Sequence, residues 1–65
     1  MNYTKTSLIK DNKLEKYLNI QGVTVEREEE FDRLWVLRDS SGKFIDKDQY
    51  RYDLAERNNI RLLEY

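Results

Sequence analysis

Residues 33–46 hold the pattern that most narrows the fold. Arg33-Leu34-Trp35-Val36-Leu37-Arg38 is a run of four apolar residues bracketed by arginines. Asp39-Ser40-Ser41-Gly42 is a polar turn ending in glycine, and Lys43-Phe44-Ile45 resumes the apolar character. Apolar, β-prone segments on either side of a short glycine-containing turn predict a β-hairpin. Four successive apolar residues suit a strand covered on both faces, so the first hairpin strand is expected to be central. Trp35 and Phe44 are expected in the core.

The flanking segments extend this reading. Val23 and Val25 alternate with Thr24 and Glu26, the period of a half-buried strand. Asn12, followed three residues later by Glu15, has the form of a capping box. Leu14, Tyr17 and Leu18 then lie at i, i+3 and i+4, which predicts a short helix closed by Gly22. Leu8 and Ile9 either lengthen this helix backwards or pair as a strand. After the hairpin, Asp46 is a suitable N-cap, with Asp48 at the positive end of the helix dipole and Gln49 three residues beyond the cap. Tyr50 and Leu54 share one face of this second helix, Asp53 and Arg57 form an i, i+4 pair, and Asn58-Asn59 end it. Ile60 to Tyr65 reads as a last strand. The expected order is α-β-β-β-α-β, an α+β fold with a small, mostly antiparallel sheet of 3–4 strands and two short helices on one face.

Whether such a chain can bury a core is a question of composition. Residues 1–65 make one small domain, and Leu, Ile, Val and Phe supply seventeen of them, above the fraction at which chains stay disordered. Charged residues are 38% of the chain, yet the net charge is only -1, so self-repulsion is weak. Cysteine and histidine are both absent, which excludes a disulfide framework, a zinc finger, a thiol nucleophile and a Ser-His-Asp triad. A core of this size rarely supplies more than about 3–5 kcal/mol without such staples, so a homodimer or a partner-stabilised monomer is expected. No apolar run is long enough for a membrane span or a secretory signal, and a cytoplasmic protein is expected. Asn2-Tyr3-Thr4 matches a glycosylation pattern but reads as chance in that setting.

Charge is unevenly spread. Residues 1–22 carry four lysines against two acids, residues 23–46 carry seven acids against four bases, and residues 47–65 balance at four of each. Glu26, Glu28, Glu29, Glu30 and Asp32 concentrate the negative charge, interrupted by Arg27 and Phe31. Such a loop can attract a basic protein surface or take the place of nucleic-acid phosphates; the plainer reading is a solvated turn that blocks edge pairing. A calcium loop starting at Asp39 or Asp46 fails at its fifth and sixth positions, so no metal site is expected. Gly22 and Gly42 stand alone, which leaves no phosphate-cradling loop and no cofactor.

Two binding readings follow. The leading one is a small non-catalytic protein acting by protein–protein contact, of the size and composition of a phage- or prophage-type inhibitor or adaptor. Glu26, Glu28, Glu29, Glu30, Asp32, Arg51 and Tyr52 are its candidate partner-binding residues, because Tyr and Arg are favoured at interfaces and Tyr52 lies off the Tyr50–Leu54 stripe. In its specific form, the acidic run mimics nucleic acid. The alternative is direct nucleic-acid binding through Arg51, Tyr52, Arg57 and Arg61, opposed by the neighbouring Asp48, Asp53, Glu56 and Glu64.

Overall fold

The computed structural model describes residues 6–64. Six strands, β1 (Thr6–Asp11), β2 (Lys16–Leu18), β3 (Thr24–Glu28), β4 (Leu34–Arg38), β5 (Phe44–Asp48) and β6 (Ile60–Leu63), are joined by one helix, α1 (Arg51–Arg57), and a 3-10 turn over Glu29–Phe31. The strands form a single curled sheet, a half-barrel, in the order β5-β4-β3-β2-β1-β6. Strands β1 to β5 run antiparallel to their neighbours, and β6 returns to pair with β1 in parallel. The expected sheet of 3–4 strands with two helices is therefore corrected to a six-stranded mixed sheet with one helix. Asn2-Tyr3-Thr4 and Tyr65 lie outside the described residues.

The first expected helix is instead the β1–β2 hairpin. Asp11 Oδ1 accepts hydrogen bonds from the backbone N–H groups of Lys13 (3.0 Å) and Leu14 (3.4 Å), which folds the chain into a turn. Glu15 then takes a left-handed φ of 52°, a conformation that no right-handed helix can continue through. Ile9 pairs with Leu18, Lys10 with Tyr17 and Asp11 with Lys16. Tyr17 is 1% exposed while Leu14 is 60% exposed, so the presumed helical stripe does not exist. Leu8 and Ile9 belong to strand β1.

Alternation decides which side chains meet. Leu8, Tyr17, Val25, Trp35 and Leu37 form the concave face of the sheet, and Leu54 and Ala55 of α1 pack into it together with Ile60. Val36 points the other way and is also fully buried, so β4 is covered on both faces as its four-residue run implies. Phe44 is a correction: it is 39% exposed, because it pairs with Arg38 on the convex face and stacks on Phe31 at 5.2 Å rather than entering the main core.

The helix also starts later than its sequence implies. Asp46 and Asp48 remain in β5 instead of capping it. Their carboxylates accept Arg57 Nε at 2.9 Å and Arg57 Nη1 at 2.8 Å, while Nη2 donates to the Lys47 carbonyl at 3.1 Å. Arg57 is thus taken up by strand β5 rather than by Asp53. Asp48 Oδ1 accepts the Tyr50 N–H at 2.8 Å and turns the chain into α1, whose N-cap, Tyr50, makes no side-chain cap. Leu54 and Ala55 face the core, whereas Tyr50 is 61% exposed. Among the described residues no helix is long and apolar enough to cross a membrane.

Candidate functional site

Two rows of paired residues cross the concave face. Lys10, Tyr17, Val25, Leu37 and Asp46 form one, and Arg27, Trp35 and Asp48 form the next. Because Arg27 lies two residues beyond the buried Val25, alternation returns it to the same face, where it stands directly opposite Trp35. The first turn of α1 brings Arg51 and Tyr52 over the same end of the sheet.

Trp35 is the centre of this cluster. The Arg27 guanidinium lies 5.1 Å from its ring centroid and that of Arg51 lies 5.6 Å away, both within cation–π range. Tyr17 meets Trp35 edge-on with centroids 6.0 Å apart. Arg51 Nε donates a hydrogen bond to the Tyr17 hydroxyl at 2.9 Å, and its guanidinium lies 4.6 Å from the Tyr52 ring. The Tyr52 hydroxyl donates to Glu64, whose carboxylate also sits 3.7 Å from Lys10 Nζ and 3.8 Å from Arg51 Nη2. Burial pushes the Tyr17 phenol above its ordinary pKa, with Arg51 pulling the other way. The hydrogen bond from Tyr52 holds the Glu64 carboxyl below the usual range. Tyr17 is thus a neutral anchor that aims Arg51, and Glu64 a charged one.

Two clefts open on either side of this cluster. One, of about 490 Å³, is lined by Lys10, Tyr17, Arg27, Trp35 and Arg51, with Glu15 and Glu29 among its other residues. The second, of about 530 Å³, shares Arg27, Trp35 and Arg51 and adds Tyr50 and Tyr52. Both tyrosines are more than half exposed. Arg27 forms no ion pair with a carboxylate among the described residues and is exposed to the cleft. An unneutralised guanidinium beside exposed tyrosines can take an anionic group and an apolar surface at once.

The acidic run is divided by the fold. Glu28 forms a two-pronged pair with Arg38, Nε to Oε2 and Nη2 to Oε1 both at 2.8 Å, and is only 12% exposed. Arg38 also donates to the Gly42 carbonyl at 2.9 Å, so this pair ties the β4–β5 turn to the end of β3. The hydrogen bond from Arg38 lowers the Glu28 pKa, which marks a structural acid. Glu26 pairs with Lys16 at 3.5 Å, and Glu29 pairs with Arg33 at 3.6 Å. Glu30 is exposed at the 3-10 turn, and Asp32 follows it in a left-handed conformation. Glu26, Glu28, Glu29 and Glu30 line a shallow depression into which Lys16, Arg27 and Arg38 also project. Asp32 instead joins Arg51 and Tyr52 in the second cleft.

The remaining cations are dispersed. Arg57 is neutralised by Asp46 and Asp48, and Arg61 is exposed in β6 next to Ser7 of β1. The structure therefore brings Arg51 and Tyr52 together and separates them from Arg57 and Arg61. Arg27 is the residue that sequence reasoning missed, since it reads there as an interruption of the acids. The signal was present: extending the Val23–Val25 alternation two residues places Arg27 on the core-facing side. No group of three or more acidic, His or Cys side chains among the described residues is placed to hold a metal ion. No protein-family model, curated protein or solved structure matches the chain.

Proposed function

We propose that the chain is a non-catalytic binding domain that engages another protein through the cleft between α1 and strands β3 and β4. The observation that carries this reading is the Arg27–Trp35–Arg51 cluster, with the exposed rings of Tyr50 and Tyr52 at its border. Tyr, Trp and Arg are the residues in which interface energy concentrates; the two aromatics add large contact area at a small entropic cost, and Arg adds a fixed fork of donors. Tyr17 and Glu64 hold Arg51 in place before any partner arrives, which lowers the ordering cost of association. The acidic run contributes less than its composition implies, since Glu26 and Glu28 are committed to Lys16 and Arg38.

The test is site-directed photocrosslinking in a lysate of the native host. A photoreactive amino acid at position 52 is expected to capture a discrete protein, whereas one at Ile20, fully exposed on the other side of the sheet, captures none. Capture at 52 should be lost when Tyr50 is replaced by Ala and retained when Lys13 is. Capture through position 20 instead, or saturable binding of single-stranded DNA at low salt, would replace this reading.

A further inference from the structure

We infer that the cleft's anchor group is a carboxylate of the partner, bound where Arg27, Arg51 and Trp35 line the two clefts. This deepens the protein-binding reading and rests on it. Three observations point to an oxyanion. Arg33, Arg38 and Arg57 each have a carboxylate within 3.6 Å, but Arg27 has none among the described residues and is held only against an aromatic ring. Arg51 spends its Nε on the neutral Tyr17 hydroxyl, and Nη2 reaches only Tyr52 at 3.4 Å and Glu64 at 3.8 Å. Nη1 makes no hydrogen bond or ion pair among the described residues and is the part of the fork left for a ligand. Both guanidiniums line the same two clefts beside Trp35, so an anion that enters either cleft meets both positive charges.

The rim narrows the class of ligand. Glu15, Glu26 and Glu29 border the first cleft together with Lys10, Asp32 borders the second, and Arg33 borders both. Four carboxylates interspersed with the cleft's cations favour a ligand that brings one negative charge over a phosphodiester backbone, which would bring several. They oppose a phosphate dianion more than a carboxylate, which carries one charge and matches the planar fork of arginine in two-point geometry. A glutamate or aspartate in an otherwise weakly charged peptide meets both conditions, and Tyr50 and Tyr52 offer surface to its neighbours.

Trp35 is the only tryptophan, so its fluorescence reports the site directly. The probes are an acetylated, amidated Gly-Glu-Gly-Phe-Gly peptide, the same peptide with Gln for Glu, and inorganic phosphate. The Glu peptide is expected to change Trp35 emission saturably, the Gln peptide to bind at least tenfold more weakly, and phosphate to bind more weakly than the Glu peptide. Arg27→Gln should weaken the Glu peptide at least tenfold, and Arg61→Gln, on the far side of the sheet, should leave it unchanged. Equal binding of the Glu and Gln peptides, no saturable response from folded protein, or tighter binding of phosphate would each overturn the carboxylate assignment. If photocapture at position 52 survives Arg27→Gln, the protein-binding reading stands and the carboxylate anchor falls. If no protein is captured while the Glu peptide still binds, the reverse holds.

Discussion

Removing the charge of Asp46 should destabilise the protein in a way that acid erases. Asp46 accepts Arg57 Nε at 2.9 Å, Asn58 Nδ2 at 2.8 Å and the Lys47 N–H at 2.8 Å. These donors, Arg57 foremost, hold its pKa at about 2 against an ordinary 3.8. Such a gap corresponds to at most about 2.5 kcal/mol at neutral pH. Because Asp46 is 30% and Arg57 50% exposed, solvent screens the pair and about 1 kcal/mol is the expected remainder. The folded-state pKa is depressed, so this stability is fully present above pH 3.8 and disappears as pH falls through about 2. Asp46→Asn keeps the shape and removes the charge. Urea unfolding of wild type and D46N at pH 7, 4, 3 and 2 should show a difference of about 1 kcal/mol at pH 7 that narrows below pH 4. Carboxylates remote from Arg57 titrate in both proteins and cancel in the difference, whereas Asp48, which shares Arg57, is removed from it by repeating the comparison in an Asp48→Asn background. A gap that persists unchanged to pH 2, or no gap at pH 7, would refute the reasoning.

Leu54→Ala should cost about 2–5 kcal/mol, a large part of what a domain this small possesses, because Leu54 is fully buried between α1 and the sheet. Calorimetry should show a broad, weakened transition or none. Gly22→Ala and Gly42→Ala both force a side chain to positive φ, at about 1 kcal/mol each. Only at Gly22 does the new Cβ also meet Ser40, at 3.0 Å from its Cβ, so thermal melts should rank Gly22→Ala as the more damaging, and equal losses would contradict that close approach. Glu15→Gly should instead stabilise by about 0.5–1 kcal/mol, since glycine relieves the left-handed strain of an exposed turn. A melt unchanged or lowered would show that the turn derives its shape from Glu15 itself.

The β4–β5 hairpin is readable from residues 33–45 because its pairing is local and its turn ends in Gly42 at a φ of 86°. Leu14, Tyr17 and Leu18 mislead because three apolar positions satisfy a helical stripe and a short strand equally well. What decides between them is the side chain of Asp11 and the partner strands β1 and β3, none of which the stripe encodes. Asp46 and Asp48 mislead for a related reason. Carboxylates ahead of a helix resemble caps, and nothing nearby reveals that Arg57, nine and eleven residues on, takes both. In the candidate site, Arg51 and Tyr52 stand out by residue type alone. Arg27 becomes visible only when strand alternation is carried through the acids and Trp35 is placed across the hairpin from it.

The parallel pairing of β1 with β6 bears on how the chain reaches this state. Thr6 lies beside Ile60 and Leu8 beside Leu62, contacts spanning more than fifty residues, while β1 to β5 join through turns of a few residues each. Local hairpins close quickly, whereas contacts between distant segments must first overcome loop-closure entropy. During synthesis the five-stranded meander can therefore form while β1 still presents an open edge, which closes only after α1 and β6 have emerged from the ribosome. Until then the buried Leu8 lacks its partners Leu54 and Ile60, and the nascent chain is most prone to mispairing in that interval.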